Sequence, residues 1–303
     1  MPKAKPDSDH NHVKGENMKA VFTLTSAESR RLIAKAVLAV PEVQKAWNEA
    51  YLLLAGGTTN AFIAQELLHD DAIEPGRCTA GISCDGVLCV TAPDSRKSYP
   101  NVFLKGEAKD MTLTEALNDY HAETVVIKGA NAVDMQGYVG VITAGFDGGT
   151  IPRIIGTVTS KGLLMITPVG LEKLVPSVRE SARALGGASH IDYSLGADCG
   201  MYCLGNTMII TEIEAIKLLF DCEAHLVCCG GVGGNEGAVT LAVDGDKEKL
   251  EAMIAYLEDN VKGEPPVKGN KGTCETCRYR FCRYYQKKSE DLPAWMKRRG
   301  IER

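Results

Sequence analysis

One pattern recurs along this chain of 303 residues and constrains its fold most: a short apolar run, then a glycine-bearing turn, then a helical segment. The run Tyr51-Leu52-Leu53-Leu54-Ala55 is followed by Gly56-Gly57-Thr58-Thr59-Asn60 and by a helical pattern from Ala61 to Leu68. Thr124 to Lys128 reads as a buried strand leading into Gly129-Ala130-Asn131-Ala132-Val133-Asp134. Gly137 to Thr143 is another strand, ending in a loop with Gly148 and Gly149, and a helix is expected from Pro152 to Ser160. Leu163 to Val169 and a helix from Val175 to Leu185 repeat the theme. Strands of this length alternating with helices imply an α/β fold: a mostly parallel, Rossmann-like sheet covered on both faces.

The length suits two domains, and a hydrophobic fraction of 45% allows a core of real size. Residues 1–17 are polar and read as a disordered tail, where His10 and His12 could touch metal. Thr25-Ser26-Ala27-Glu28 is a capping box that opens a helix, and Pro41 begins a second. Between Cys78 and Thr91, two strand-like pieces flank Asp85-Gly86, a hairpin signal, and residues 92–110 read as loop. The first domain therefore spans 18–195. From 196 to 262 the order strand, helix, strand, strand, helix is most of a smaller ferredoxin-like α+β domain, starting with the strand Thr207 to Thr211. Residues 263–303 are a linker and a basic, cysteine-bearing tail. The chain has no apolar run long enough for a membrane span. Its first residues lack the apolar core of a secretory leader, so a cytoplasmic protein with reduced thiols is expected.

Two loops are the candidate ligand sites. A strand feeding Gly56, Gly57, Thr58 and Thr59 into a helix aims backbone amides and hydroxyls at one point, where the helix dipole favours an anion. The same residues also suit a plain tight turn with a threonine cap. No lysine follows at Walker A spacing, and the dinucleotide fingerprint is absent. The polar cluster after the strand 124–128 falls where open α/β sheets bind ligands. There Asp134 could act as a general base with Lys128 as its electrostatic partner. Alternatively Asn131 and Asp134 bond their own backbone in a turn.

Taken in order, Gly56-Gly57-Thr58-Thr59, the strand with Gly129-Ala130-Asn131-Ala132-Val133-Asp134, Gly148-Gly149 before a helix, and Glu172-Lys173-Leu174-Val175 resemble the ribose-5-phosphate isomerase and CoA-transferase superfamily. The resemblance covers roughly residues 50–180, and the isomerases also carry a ferredoxin-like domain. It implies that Gly57, Thr58 and Thr59 hold a substrate phosphate while Asp134 and Lys173 face the sugar. Asn60, Asn131, Gly148 and Gly149 join them as substrate-binding candidates. Where the isomerases have an acidic residue this chain has Asn131, and where they carry a helix carboxylate it has Thr150-Ile151-Pro152-Arg153. Both departures point away from sugar isomerisation. Glu236, in the glycine-rich stretch 230–237, has no positional match to the glutamate nucleophile of the transferases and reads as part of a loop between strands.

The tail is a third constellation. Cys274, Cys277 and Cys282 have the spacing of metal ligands, which predicts an iron–sulfur cluster or, second, zinc. A fourth ligand would come from elsewhere, with Cys199, Cys203, Cys222, Cys228 or Cys229 as candidates, from the N-terminal His10 and His12, or from a small molecule. Cys78, Cys84 and Cys89 sit on strand-like segments and read as core. Residues 271–303 hold ten Lys/Arg against four Asp/Glu, a charge of +6; with −5 for the whole chain, the rest carries −11. Arginines interleaved with tyrosines suit single-stranded nucleic acid, while docking onto the acidic body accounts for the same tail more simply. The expected function is an enzyme acting on a small anionic substrate, phosphorylated, carboxylated or acyl-CoA, in a self-associating protein without membrane contact. The alternative is a non-catalytic ligand or metal sensor whose tail binds a partner or nucleic acid.

Overall fold

The computed structural model describes residues 17–145 and 147–298, so the polar segment with His10 and His12 lies outside the described residues. The chain opens with β1 (Asn17–Leu24), α1 (Ser26–Ala39), α2 (Pro41–Glu49), β2 (Tyr51–Leu54) and α3 (Thr58–Leu68). There follow β3 (Gly81–Cys84), β4 (Val87–Val90), β5 (Val102–Leu104), β6 (Glu107–Ala108), α4 (Leu113–Asn118) and β7 (Val125–Ile127). Next come β8 (Ala132–Val133), β9 (Val139–Thr143), α5 (Thr150–Lys161), β10 (Leu164–Pro168), α6 (Val178–Leu185) and β11 (Gly200–Leu204). The chain continues through β12 (Met208–Ile210), α7 (Glu212–Phe220), β13 (Glu223–Cys229), β14 (Val239–Asp246), α8 (Lys247–Asn260) and α9 (Ala294–Arg298).

The fold is mixed α/β. A six-stranded sheet has the order β12-β10-β7-β2-β5-β6. Its first four strands are parallel, with Leu52 beside Val125, Leu164 beside Val125 and Ile166 beside Met208. β5 and β6 run antiparallel at one edge. This edge lies inside the stretch expected to be loop: Val102 and Phe103 are fully buried against β2, and Lys105-Gly106, both at positive φ, close the short hairpin. Alternation along β2 divides the interior. Leu52 and Leu54 enter one core with Leu32, Ile33 and Phe62 of α1 and α3; Tyr51 and Leu53 enter a second with Leu117, Ile151 and Ile154 of α4 and α5. Helices thus cover both faces of the sheet.

A second sheet, β1-β14-β13, is antiparallel throughout. Its edge strand comes from the start of the chain, where Asn17 to Leu24 pair with Asp246 to Val239. The strand Met208–Ile210, read as opening the smaller unit, instead joins the large sheet beside β10. Its neighbour in sequence does not decide this placement; the buried parallel edge of β10 does. Leu241 and Met253 belong to the same apolar cluster as Leu52 and Phe62, so one core runs beneath both sheets. A three-stranded sheet β11-β9-β8 and the hairpin β3-β4 complete the strands, the latter turning at Asp85-Gly86 as expected. Among the described residues no helix is long and apolar enough to cross a membrane.

Candidate anion-binding crevice at the strand ends

The four parallel strands end together, and each delivers polar residues to the same rim. β2 leads through Ala55 to Gly56 and Gly57, where the Gly57 amide donates to the Cys78 carbonyl at 3.0 Å. The next amides, of Thr58 and Thr59, open α3 and have no acceptor within the helix. Asn60 is wholly buried, and its amide nitrogen donates to the carbonyls of Ala55 (2.7 Å) and Ile127 (3.2 Å). It therefore clamps the ends of β2 and β7 together beneath the rim.

β7 delivers Lys128 and β10 delivers Lys173, which follows Gly170, Leu171 and Glu172. The Lys128 ammonium donates to the Gly129 carbonyl at 2.8 Å, and that of Lys173 to the Ala130 carbonyl at 3.0 Å. Neither takes part in an ion pair among the described residues, although both are half-buried. Desolvation, reinforced by Lys173, brings the Lys128 pKa down to about 8. Desolvation and the charge of Arg30 bring Lys173 down to about 8 against the opposing pull of Glu172 and Glu212. Two adjacent ammonium groups ringed by protein, but still open in part to solvent, create a local demand for negative charge.

Further residues complete the rim; Glu212, Ser29 and Arg30 did not stand out in the sequence, whereas Glu172 adjoins Lys173 in the motif that carries the resemblance. Glu212, the first residue of α7 at the end of β12, is wholly buried and accepts from the Leu171 amide at 2.8 Å. Desolvation pushes its pKa up to about 7. The Ser29 hydroxyl lies beside its carboxylate. Glu172 accepts from Arg30 at 2.7 Å and from the Ser26 hydroxyl. The Arg30 Nε is buried without a partner among the described residues. The glycine-rich loop 230–237 reaches the same place: a Cβ on Gly237, at φ +79, would stand 2.8 Å from the Glu172 carboxylate. The usable signal was positional, an acidic residue one step past a buried strand end at Thr211-Glu212 and an arginine pair in the first half of α1.

The remaining expected residues are held differently. Asp134 is 4% exposed, and its two oxygens accept from the amides of Gln136 (3.0 Å), Tyr138 (2.9 Å) and Val178 (2.8 Å). Asn131 accepts from the Ile142 amide at 2.9 Å. Both stabilise turns around β8 and β9. Gly148 and Gly149, at φ +73 and +78, shape the turn into α5, where Asp147 accepts from the Gly149 amide and pairs with Arg153. No hydrogen bond joins this turn to the two lysines or to residues 56–60 among the described residues.

The tail lies against the body on β4 and the segment 196–198. Thr91 bridges to Lys271, and Ala197 bridges to Cys282. The Tyr279 hydroxyl reaches the carbonyls of Ala144 (2.7 Å) and Asp198 (2.8 Å). Cys274 packs with Tyr284, Leu292 and Met296 in a small core of its own, against which Cys282 is seated. No group of three or more His, Cys, Asp or Glu side chains stands gathered as a metal site among the described residues. Comparison with family models, with curated proteins and with solved structures returned no match.

Proposed function

We propose that the chain is an enzyme for a small anionic substrate, phosphorylated, carboxylated or acyl-CoA, bound where β2, β7, β10 and β12 end. In this reading the six-stranded sheet is a Rossmann-like body, the sheet β1-β14-β13 with α7 and α8 is a ferredoxin-like companion, and the superfamily resemblance extends to the site. The observation that carries it is the pair Lys128 and Lys173, two half-buried ammonium groups satisfied only by carbonyls. The threonine amides of α3 add donors, and the orphaned Arg30 Nε adds another. Glu212 is the proton-transfer group, because its pKa near 7 allows it to take or give a proton at neutral pH. Asp134 serves as a framework residue in this reading, since its oxygens are already committed to three amides. The same commitment favours, as a second reading, a ligand sensor without chemistry. The cysteine tail enters as a metal site, iron–sulfur or zinc, built on Cys274, Cys277 and Cys282.

Thermal shift with inorganic phosphate and with acetate tests the crevice. Phosphate in the millimolar range is expected to raise the melting temperature of the wild type by several degrees, and Lys128→Met and Lys173→Met to remove most of that gain. An identical phosphate response in both variants would dismiss the crevice as the anion site. Mass spectrometry of small molecules released from the purified protein then separates enzyme from sensor, by whether an added candidate is converted or returned intact.

A further inference from the structure

The tripeptide Cys-Arg-Tyr occurs twice in the tail, at 277–279 and at 282–284, and both copies fold alike. The Tyr279 amide donates to the Cys277 sulfur at 3.4 Å, and the Tyr284 amide donates to the Cys282 sulfur at 3.4 Å. Cys277 also closes a turn onto the Cys274 carbonyl at 3.1 Å. An amide aimed at sulfur stabilises a thiolate far more than a thiol, and such bonds orient and tune cysteine ligands around metals. Two identical sulfur-capping turns five residues apart form a repeated ligand-holding unit.

A third sulfur lies across the interface with the body. Cys89, on β4, lies within electrostatic reach of both Cys277 and Cys282. Backbone pairing fixes its position on both sides. Leu88 bridges Gly196, its carbonyl accepts from the Ala197 amide at 2.8 Å, and Ala197 bridges Cys282. Two residues beyond Cys89, Thr91 bridges Lys271, three residues before Cys274. The tail is thus anchored on either side of Cys89, which brings Cys277 and Cys282 to the one cysteine of β4, while Cys274 precedes them in the same tail.

We infer that Cys89 is the fourth ligand of a thiophilic metal centre whose other ligands are Cys274, Cys277 and Cys282, so that the metal ties the tail to the body. The inference rests on the metal reading of the tail and supplies its missing ligand from a strand that sequence alone marks as core. Loading moves the four thiol side chains inward and releases their protons, with M²⁺ and four thiols giving a tetrathiolate complex and up to four H⁺. It requires no redox partner. The probe is Co²⁺, followed by Zn²⁺ competition, added anaerobically to the full reduced chain.

The wild type is expected to take up about one equivalent, with the intense ligand-field and sulfur-to-cobalt bands of tetrahedral thiolate coordination. Cys89→Ser is expected to lower affinity at least ~10-fold and to weaken the charge-transfer band, whereas Cys84→Ser, on the facing strand of the same hairpin, leaves both unchanged. Alkylation provides a measurement that needs no variant: bound metal should protect Cys89 together with Cys274, Cys277 and Cys282, and leave Cys84 as reactive as before. A wild type that binds no cobalt overturns the metal reading altogether. Equal affinity and spectrum in Cys89→Ser, or no metal protection of Cys89 in a chain that does bind, overturns only its assignment as ligand.

Discussion

At the scale of single residues, Lys128, Lys173 and Glu212 set opposite demands on protons. Both lysines titrate near 8 rather than 10.5, so between those values the folded chain has lost protons that the unfolded chain keeps. Their contribution to stability therefore rises with pH through that window. Glu212 titrates near 7 rather than 4.5, so the folded chain keeps a proton that the unfolded chain has lost, and its contribution falls as pH rises from 4.5 to 7. Together the three groups favour the fold least between about pH 7 and 8, where a bound anion has most to offset. Stability curves by denaturant from pH 4 to 10 check this. Subtracting Lys173→Met should flatten the alkaline limb, and subtracting Glu212→Gln, which keeps an acceptor for the Leu171 amide, should flatten the acidic limb. Asp134 makes a different prediction. Its replacement by Ala strands three amides and is expected to cost about 2–4 kcal/mol in the same assay, with the loss independent of any ligand.

At the scale of elements, the crevice depends on how closely the glycine loop 230–237 can approach β10. Ala at Gly237 would force a strained φ and place a methyl against the Glu172 carboxylate, which already holds Arg30 and Ser26. Gly237→Ala is expected to destabilise by about 1–3 kcal/mol and to weaken phosphate binding, whereas Gly233→Ala, with open space around its Cβ, bears only its backbone strain and leaves binding intact. Denaturant melts and phosphate titration of the two variants decide between them. Legibility from sequence divides along the same line between local and distant causes. The capping box at Thr25 is readable because Thr25 and Glu28 bond each other, and the β3-β4 turn because Asp85 and Gly86 are adjacent. β1 was not readable, since its partner β14 lies more than 200 residues away and the strand is half exposed. The site shows the same division. Lys128 announced itself by following a buried run and Lys173 through the superfamily resemblance, but the role of Arg30 depends on α1 lying against the end of β10, a placement with no local signature.

At the scale of the molecule, the tail is held by two kinds of contact with different responses to salt. Its root is electrostatic: Arg31 bonds Glu264 at 2.8 and 3.2 Å, with the arginine side chain 10% exposed, and Lys262 pairs with Glu28 at 2.8 Å. Beyond it, residues 271–298 form no ion pair with the body among the described residues, despite the charge difference between them. They are held by the bridges at Thr91 and Ala197, the two carbonyls on Tyr279 and the close fit of Gly76, where a Cβ would stand 1.8 Å from the Lys268 carbonyl. Long-range attraction speeds the tail's return to the body, but the contacts that hold it are short-ranged and little screened. Limited proteolysis at Lys268 and Lys271, beyond the electrostatic root, should therefore proceed at nearly the same rate in low salt and in 1 M NaCl. Gly76→Val should accelerate cleavage several-fold at both ionic strengths by lifting the linker off the body, and Tyr279→Phe should do so by releasing two carbonyls. A rate that climbs steeply with salt in the wild type would mean that charge, and not this seam of backbone contacts, keeps the tail in place.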